Sequence, residues 1–330
     1  MKKILIIGGT GFVGRMVTET LSVNPDYDVT LFNRGKRNPG IFPNVKHVEG
    51  DRLTDEIQKL KGMKFDCVID FAGMYPTNID NTLEALKGNI GRYIFISTCS
   101  VYNFEEAANN PGPIGEDDFP VYGCTDEQRD NKDMQFYGHN KAECERVILS
   151  KDWLDAIIFR PALICGKYDP TDRFYCWLYR AKTQDKILMP ESAGSLTQNT
   201  FAPDFAHLII KAINADSHRK IYNAVTHDPV SIFDVVNTCT KLVDTNPEIV
   251  VKPDSFFEEN EVHHWMDLAM WLGPMDFVFD MKKVHEDFKP EFHSFEQSVK
   301  DTIPFYEERG WPVPKYGLSI EREKELLAKD

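Results

Sequence analysis

The stretch Lys3-Ile4-Leu5-Ile6-Ile7-Gly8-Gly9-Thr10-Gly11-Phe12-Val13-Gly14 decides the fold of this 330-residue chain. The apolar run Ile4–Ile7 is too short for the hydrophobic core of a signal peptide or for a membrane span, and it suits a buried strand. Phe12–Leu21 then places Val13, Val17 and Leu21 on one face of a helix. Between them, Gly8 permits the tight turn out of the strand. Gly11 lets backbone N–H groups approach a pyrophosphate at the helix N-terminus, and Gly14 lets helix and strand pack closely. Strand, glycine turn and helix together predict a dinucleotide-binding loop, with Thr10, Phe12 and Val13 beside the three glycines.

Outward from that loop the rhythm is regular. Strands are expected at Asp28–Asn33, Val45–Glu49, Phe65–Phe71, Tyr93–Thr98 and Ala156–Arg160, and helices at Leu53–Leu60, Asn78–Leu86 and Met134–Leu149. Such alternation predicts an α/β fold, a Rossmann-type doubly wound parallel sheet. After Pro161 the rhythm breaks, which predicts a smaller mixed α/β substrate domain. The expected division is a dinucleotide domain over residues 1–165, with 197–228 packing back on it. The substrate domain takes 166–196 and 229–330. Ser319–Lys329 is charged on nearly every face and reads as a surface helix.

Composition narrows the partners. With 38 basic and 52 acidic residues the net charge is −14, which repels nucleic acid and anionic membrane. Seven cysteines without framework spacing read as reduced, and a cytoplasmic protein is expected. No zinc pattern is present, and His263-His264 reads as a surface or partner-contacting pair, so no metal is expected. Residues 104–133 carry nine acidic and two basic residues. They form either a solvated surface loop or a lid over the site.

Three further motifs carry chemistry. Asn33-Arg34-Gly35-Lys36-Arg37 follows the second strand. Cations stand there where an NAD site wants a carboxylate, which favours the 2′-phosphate of NADP, with NAD still open. Tyr137 and Lys141 are four apart, on one helix face, so a phenol and an ammonium reach one site. Ser97-Thr98-Cys99-Ser100 ends the fifth strand, where hydroxyls face the ligand crevice of an open sheet.

Together these motifs resemble the extended short-chain dehydrogenase/reductase family, in its epimerase/dehydratase-like branch. The resemblance covers residues 1–225 well. It implies hydride transfer with Tyr137 as acid/base, Lys141 lowering its pKa and holding ribose hydroxyls, and Thr98 bonding the substrate oxygen. Gly50-Asp51-Arg52 looks like the segment at the adenine, and Phe71-Ala72-Gly73 like the loop along the cofactor. Pro161 and Leu163 match the segment beside the nicotinamide. Tyr75, Cys99, Ser100, Arg173 and Gln198 are candidate substrate contacts, though Arg173 and its aromatic neighbours equally suit a domain core. Cys99 and Ser100 stand where a dehydratase wants an acid, which disfavours dehydration. The resemblance also implies a homodimer through helices near 78–88 and 134–149. The alternatives are a non-catalytic dinucleotide sensor and an RNA-binding relative.

Overall fold

The computed structural model describes residues 1–107, 112–117, 119–216 and 218–329. In chain order the elements begin with β1 (Lys2–Ile7), α1 (Phe12–Ser22), β2 (Tyr27–Asn33), β3 (Lys46–Glu49), β4 (Phe65–Asp70), α2 (Pro76–Leu86) and β5 (Ile90–Ile96). Next come α3 (Phe104–Ala107), α4 (Tyr137–Leu149), β6 (Asp155–Arg160), β7 (Leu163–Cys165), α5 (Tyr175–Thr183), β8 (Lys186–Pro190) and β9 (Asn199–Phe201). The remainder are α6 (Ala202–Ala212), β10 (Lys220–Asn223), α7 (Ile232–Val243), β11 (Glu248–Lys252), α8 (Asp254–Glu259), α9 (Lys282–Phe288), α10 (Phe295–Glu307) and α11 (Ile320–Leu327). Among the described residues, no helix is long and apolar enough to cross a membrane.

The chain divides into two units, the first comprising Met1–Ala162, Ala202–Val225 and Asp280–Glu291. Its sheet is parallel throughout, in the order β10-β6-β5-β4-β1-β2-β3. Ile4 to Ile7 are at most 1% exposed, as a strand covered on both faces must be. The α1 helix buries Val13, Met16, Val17 and Leu21. Ile79, Leu83 and Leu86 of α2 join Cys144 and Ile148 of α4 in one core with β-strand residues Val68, Tyr93 and Phe95. Strand order reverses between β1 and β4, so the loops leaving these strands diverge and open a crevice at their carboxyl ends.

The second unit comprises Leu163–Phe201, Thr226–Phe279 and Phe292–Asp330. Here β7 pairs with β9, and β8 with β11, both in parallel. Every residue of α5 from Tyr175 to Ala181 is buried, packed with Val235, Val236 and Cys239 of α7. The pairing of β7 with β9 is why residues 163–165 and 199–201 lie in this unit. Asp280–Glu291 belongs to the first unit instead, where Asp280 N donates to Ile114 O at 3.0 Å and Phe288 packs on Tyr222 at 5.0 Å.

One expectation is overturned. The α11 helix is not a purely solvated helix. Glu323 is 1% exposed and pairs with Arg180 at 3.0 Å, while its other oxygen accepts from Leu188 N.

Candidate active site

The glycine loop is built by backbone geometry. Gly8 has φ +89°, a left-handed conformation that favours glycine. A Cβ on Gly14 would stand 2.5 Å from the Gly8 carbonyl oxygen, so only glycine lets α1 approach β1 here. Gly11 precedes α1, and no side chain caps the first turn, leaving its N–H groups for a ligand or water. Phe12 opens the helix at φ +42°, a strained backbone of the kind that collects at functional sites. The loop after β4 meets this turn. The Cβ atoms of Phe71 and Ala72 lie 3.3 and 3.4 Å from the Cβ position of Gly8.

The basic loop after β2 folds onto the glycine loop. Arg37 lies across Gly11, its Cδ and Nη1 each 2.7 Å from where a Cβ would be. Asn38 Nδ2 donates to Thr10 O at 2.8 Å. Asn33 Oδ1 accepts from Gly35 N, while its Nδ2 is buried with no partner among the described residues. A buried amide donor without an acceptor is costly, and a ribose hydroxyl would satisfy it. Arg34 is largely exposed, 3.8 Å from Asp51. An uncapped helix start, an orphaned amide and a guanidinium over the glycines fit a dinucleotide phosphate and ribose.

The second half of the site lies at the ends of β4 and β5. Lys141 Nζ donates to Gly73 O and Ile96 O, each at 2.7 Å, and stands 4.0 Å from the Phe95 ring centre. Burial pushes its ammonium down to about 8, against the opposing pull of Asp70 and Glu145. Tyr137 is the first residue of α4 and half-buried. Its neighbour Gly138 packs so closely on Ser100 that a Cβ there would be 2.1 Å from the Ser100 carbonyl oxygen. Thr98 caps the short turn Cys99–Val101, accepting from Ser100 N, and its hydroxyl pairs with that of Ser100 at 3.2 Å. Two hydroxyls hold two hydrogens, and one suffices for their mutual bond, so the other can point outward. Cys99 N donates to Pro161 O at 2.8 Å, and burial pushes the Cys99 thiol up to about 12. Tyr75 caps α2 with its backbone carbonyl, which accepts from Asn78 N and Ile79 N.

This arrangement matches one protein family over most of the first unit. The model of the NAD dependent epimerase/dehydratase family matches residues 4–224. The chain belongs to that family. Over 337 residues it is 26% identical to the chloroplast stem-loop binding protein of 41 kDa b of Arabidopsis thaliana, covering 96% of this chain and 76% of that one. It is also 26% identical over 336 residues to a UDP-N-acetyl-alpha-D-glucosaminuronate decarboxylase of Bacillus cytotoxicus, covering 93% and 98%. In fold it is similar to the UDP-glucuronic acid 4-epimerase of Bacillus cereus, solved in complex with NAD. That match has a TM-score of 0.71 at 15% identity, covering 93% of this chain and 99% of that one. The chain is an enzyme of the extended short-chain dehydrogenase/reductase type.

Within this family frame the first unit brings together Gly8, Thr10, Gly11, Phe12, Val13, Gly14, Asn33, Arg37, Phe71, Ala72, Gly73, Thr98, Ser100 and Lys141. Arg52 departs from its expected role. Its guanidinium is buried and holds Asp70 at 2.6 Å and Thr82 Oγ1 at 3.0 Å, with Tyr93 as a further donor to Asp70, so it serves the core. Gln198 is likewise occupied. It is 5% exposed, donating to His227 O and accepting from Phe279 N. Leu163 is buried in β7, and Arg173 lies between two rings, both in the second unit.

Sequence reasoning missed Glu145, one helical turn after Lys141. It accepts from Ser97 Oγ and from Arg160, tying the ends of β5 and β6 to α4. It also missed Asn140, whose Nδ2 donates to the carbonyls of Gln128, Asn131 and Phe136 while its Oδ1 accepts from Asp130 N. The acidic segment is thereby pinned at one end. Ile114, Glu116 and Phe119 are buried in it as well, while Asn109, Asn110 and Asp118 lie outside the described residues.

Proposed function

We propose that the chain moves a hydride between a nicotinamide dinucleotide, NADP(H) by preference, and a hydroxyl- or carbonyl-bearing carbon of a neutral or weakly charged small molecule. When bound, the dinucleotide supplies the hydride chemistry, and the protein supplies position and proton transfer. The observation that carries this reading is Lys141, buried at the carboxyl ends of β4 and β5 and four residues after Tyr137 on α4. A cation there favours the phenolate form of Tyr137, which exchanges a proton with the substrate oxygen. The Thr98–Ser100 hydroxyl pair donates to that oxygen, and Asn33, Arg34 and Arg37 hold the adenosine ribose and its 2′-phosphate. Asp51 lies at the adenine, and Pro161 lies beside the nicotinamide.

Titration of the purified protein with NADPH and NADH tests the cofactor. A charge-assisted phosphate contact is worth roughly 1.5–3 kcal/mol, so NADPH should bind about tenfold or more tightly. Equal affinities would remove the NADP preference. A carbonyl panel followed by NADPH oxidation, repeated with Tyr137→Phe, tests the chemistry. Turnover should fall by about 10²–10⁴ while cofactor binding holds.

The stem-loop binding relative supplies a second reading, RNA binding, which the net charge of −14 opposes. Filter binding over a salt series decides between them. We further propose a homodimer through α2 and α4, which light scattering of the eluted protein tests.

A further inference from the structure

Five charged side chains are buried together around the carboxyl ends of β4, β5 and β6. Arg52, Asp70, Lys141, Glu145 and Arg160 are each at most 6% exposed, and all belong to the first unit. Two of the cations are matched at close range. Arg52 holds Asp70 and Arg160 holds Glu145, each with a nitrogen 2.6 Å from a carboxylate oxygen. Lys141 is matched differently. Its ammonium donates to the carbonyls of Gly73 and Ile96, which carry no net charge. Three cations against two anions leave one positive charge in excess in a dry interior, where an uncompensated charge is costly.

Only one of the five can relieve that excess near neutral pH. An arginine keeps its proton throughout, and protonating either carboxylate would enlarge the excess. The neutral neighbours do not help. Burial pushes the Cys144 thiol up to about 12, and it pushes the Tyr93 phenol, which donates to Asp70, well above its ordinary range. Beyond Arg160 stand the Tyr102 ring, 4.8 Å from its guanidinium, and Glu116, in the field of Lys283 and Asp280. Lys141 is thus the group whose proton responds to a change in the balance. Burial already lowers its ammonium to about 8, with Arg52 adding to the push and Asp70 and Glu145 opposing it. Glu145 is one helical turn from Lys141, at about 6 Å between Cβ atoms.

We propose that Glu145 is a positioning residue of the active site, the counter-charge that keeps Lys141 cationic. Without that charge Arg160 is unmatched, the buried excess doubles, and Lys141 gives up its proton in compensation. A neutral amine there no longer favours the phenolate of Tyr137. Stability alone does not account for the Glu145–Arg160 pair, since a buried pair often does no better than an apolar replacement. The inference deepens the proposed function by assigning control of its acid/base to Glu145, and it rests on that reading for its consequence in catalysis.

The test reads the titration of Lys141 in the full-length protein, without substrate or cofactor. Thermal melts between about pH 6 and 10.5 compare each protein with its own Lys141→Met counterpart, and the pH at which their difference begins to change marks the folded pKa of Lys141. That point should lie near 8 in the unaltered protein and about one unit or more lower in Glu145→Gln. Arg160→Gln supplies the opposite sign. It leaves Glu145 unmatched, so the titration should move upward by about one unit or more. A purely structural pair predicts lost stability in both variants and no opposed shifts. An unchanged titration in either variant, or shifts of the same sign, would overturn the inference, and where one variant fails to fold the other decides alone.

Turnover on a hit from the carbonyl panel separates this inference from the reading beneath it. The alkaline fall of turnover should move with Lys141, down in Glu145→Gln and up in Arg160→Gln. Opposed shifts of the titration with turnover indifferent to Tyr137→Phe sink the proposed function and leave Glu145 as the counter-charge. Turnover lost in Tyr137→Phe with an unmoved Lys141 titration sinks this inference alone.

Discussion

Glu145 and Arg160 form a buried ion pair between α4 and the end of β6, with Nη2 2.6 Å from Oε2 and both side chains at most 4% exposed. The same carboxylate accepts from Ser97 Oγ, next to Thr98. Removing one partner of such a pair strands the other charge in a dry interior, which costs about 3–5 kcal/mol. Glu145→Ala should therefore lower the urea midpoint by an amount worth about that much, with Glu145→Gln losing less. A loss below about 1 kcal/mol for Glu145→Ala would show that Arg160 finds water or another acceptor.

Lys141 gives a pH dependence with a definite sign. Burial holds its folded pKa near 8, below the ordinary 10.5. The folded state therefore binds fewer protons than the unfolded chain between those two values, and stability gains with rising pH across that window. Below about pH 8 the full penalty of burying the cation is present. Compared with Lys141→Met, which lacks this ionisation, the unaltered protein should gain stability from about pH 8 to 10.5. Paired thermal melts at several pH values check this. A constant difference between the two proteins across the window would place the titration of Lys141 elsewhere.

What was legible in the sequence is what short-range geometry dictates. Gly8, Gly11 and Gly14 announce themselves because backbone contacts, not side chains, require them. Tyr137 and Lys141 are visible because helical periodicity fixes their common face. Glu145 was not, since a carboxylate on a helix ordinarily faces water, and nothing local says that Arg160 from the next strand will bury it. Glu323 misled for the same reason, its partner Arg180 lying 143 residues earlier. Gln198 was credited with a ligand because its own partners, His227 and Phe279, are 29 and 81 residues away. Arg52 sits in a cofactor-like segment, but Asp70 claims it across 18 residues. Polar residues whose partners are distant in the chain read locally as solvated or as ligand contacts, because the partners that hold them are out of view.

The Gly14 contact with Gly8 is between backbone atoms, so neither side can yield by rotating a side chain. A methyl group there would meet the Gly8 carbonyl oxygen at 2.5 Å and push α1 away from β1. Gly14→Ala should cost about 1–3 kcal/mol of stability, as overpacking does, despite the better helix propensity of alanine. It should also weaken NADPH binding tenfold or more, because the displaced helix start no longer presents its N–H groups to the phosphates. Denaturant unfolding and cofactor titration report the two effects separately. A variant with unaltered affinity would mean that the loop absorbs the shift.

Asn140 decides whether the acidic segment is a loose loop or a clasped one. Its amide donates to three carbonyls, those of Gln128, Asn131 and Phe136, and its oxygen accepts from Asp130 N at 2.7 Å. Asp130 in turn accepts from Thr77 N and Oγ1 at the start of α2. One side chain on the helix of Tyr137 and Lys141 thus holds the stretch that leads into that helix. The two amide hydrogens, shared among three carbonyls, and the one accepted bond amount to about three net hydrogen bonds at about 1 kcal/mol each, which puts the loss for Asn140→Ala on the order of 3 kcal/mol, with the freed carbonyls partly recovered by water. Hydrogen exchange should localise the damage. The Asp130 amide should exchange tenfold or more faster in the variant, while the amides of Ile90–Ile96 keep their protection. Turnover on any substrate found with the carbonyl panel should fall with it, because the clasp sets the entry of α4 and so the seat of Tyr137. Faster exchange at Asp130 with full turnover would separate the clasp from catalysis and leave the segment a surface feature anchored for stability alone.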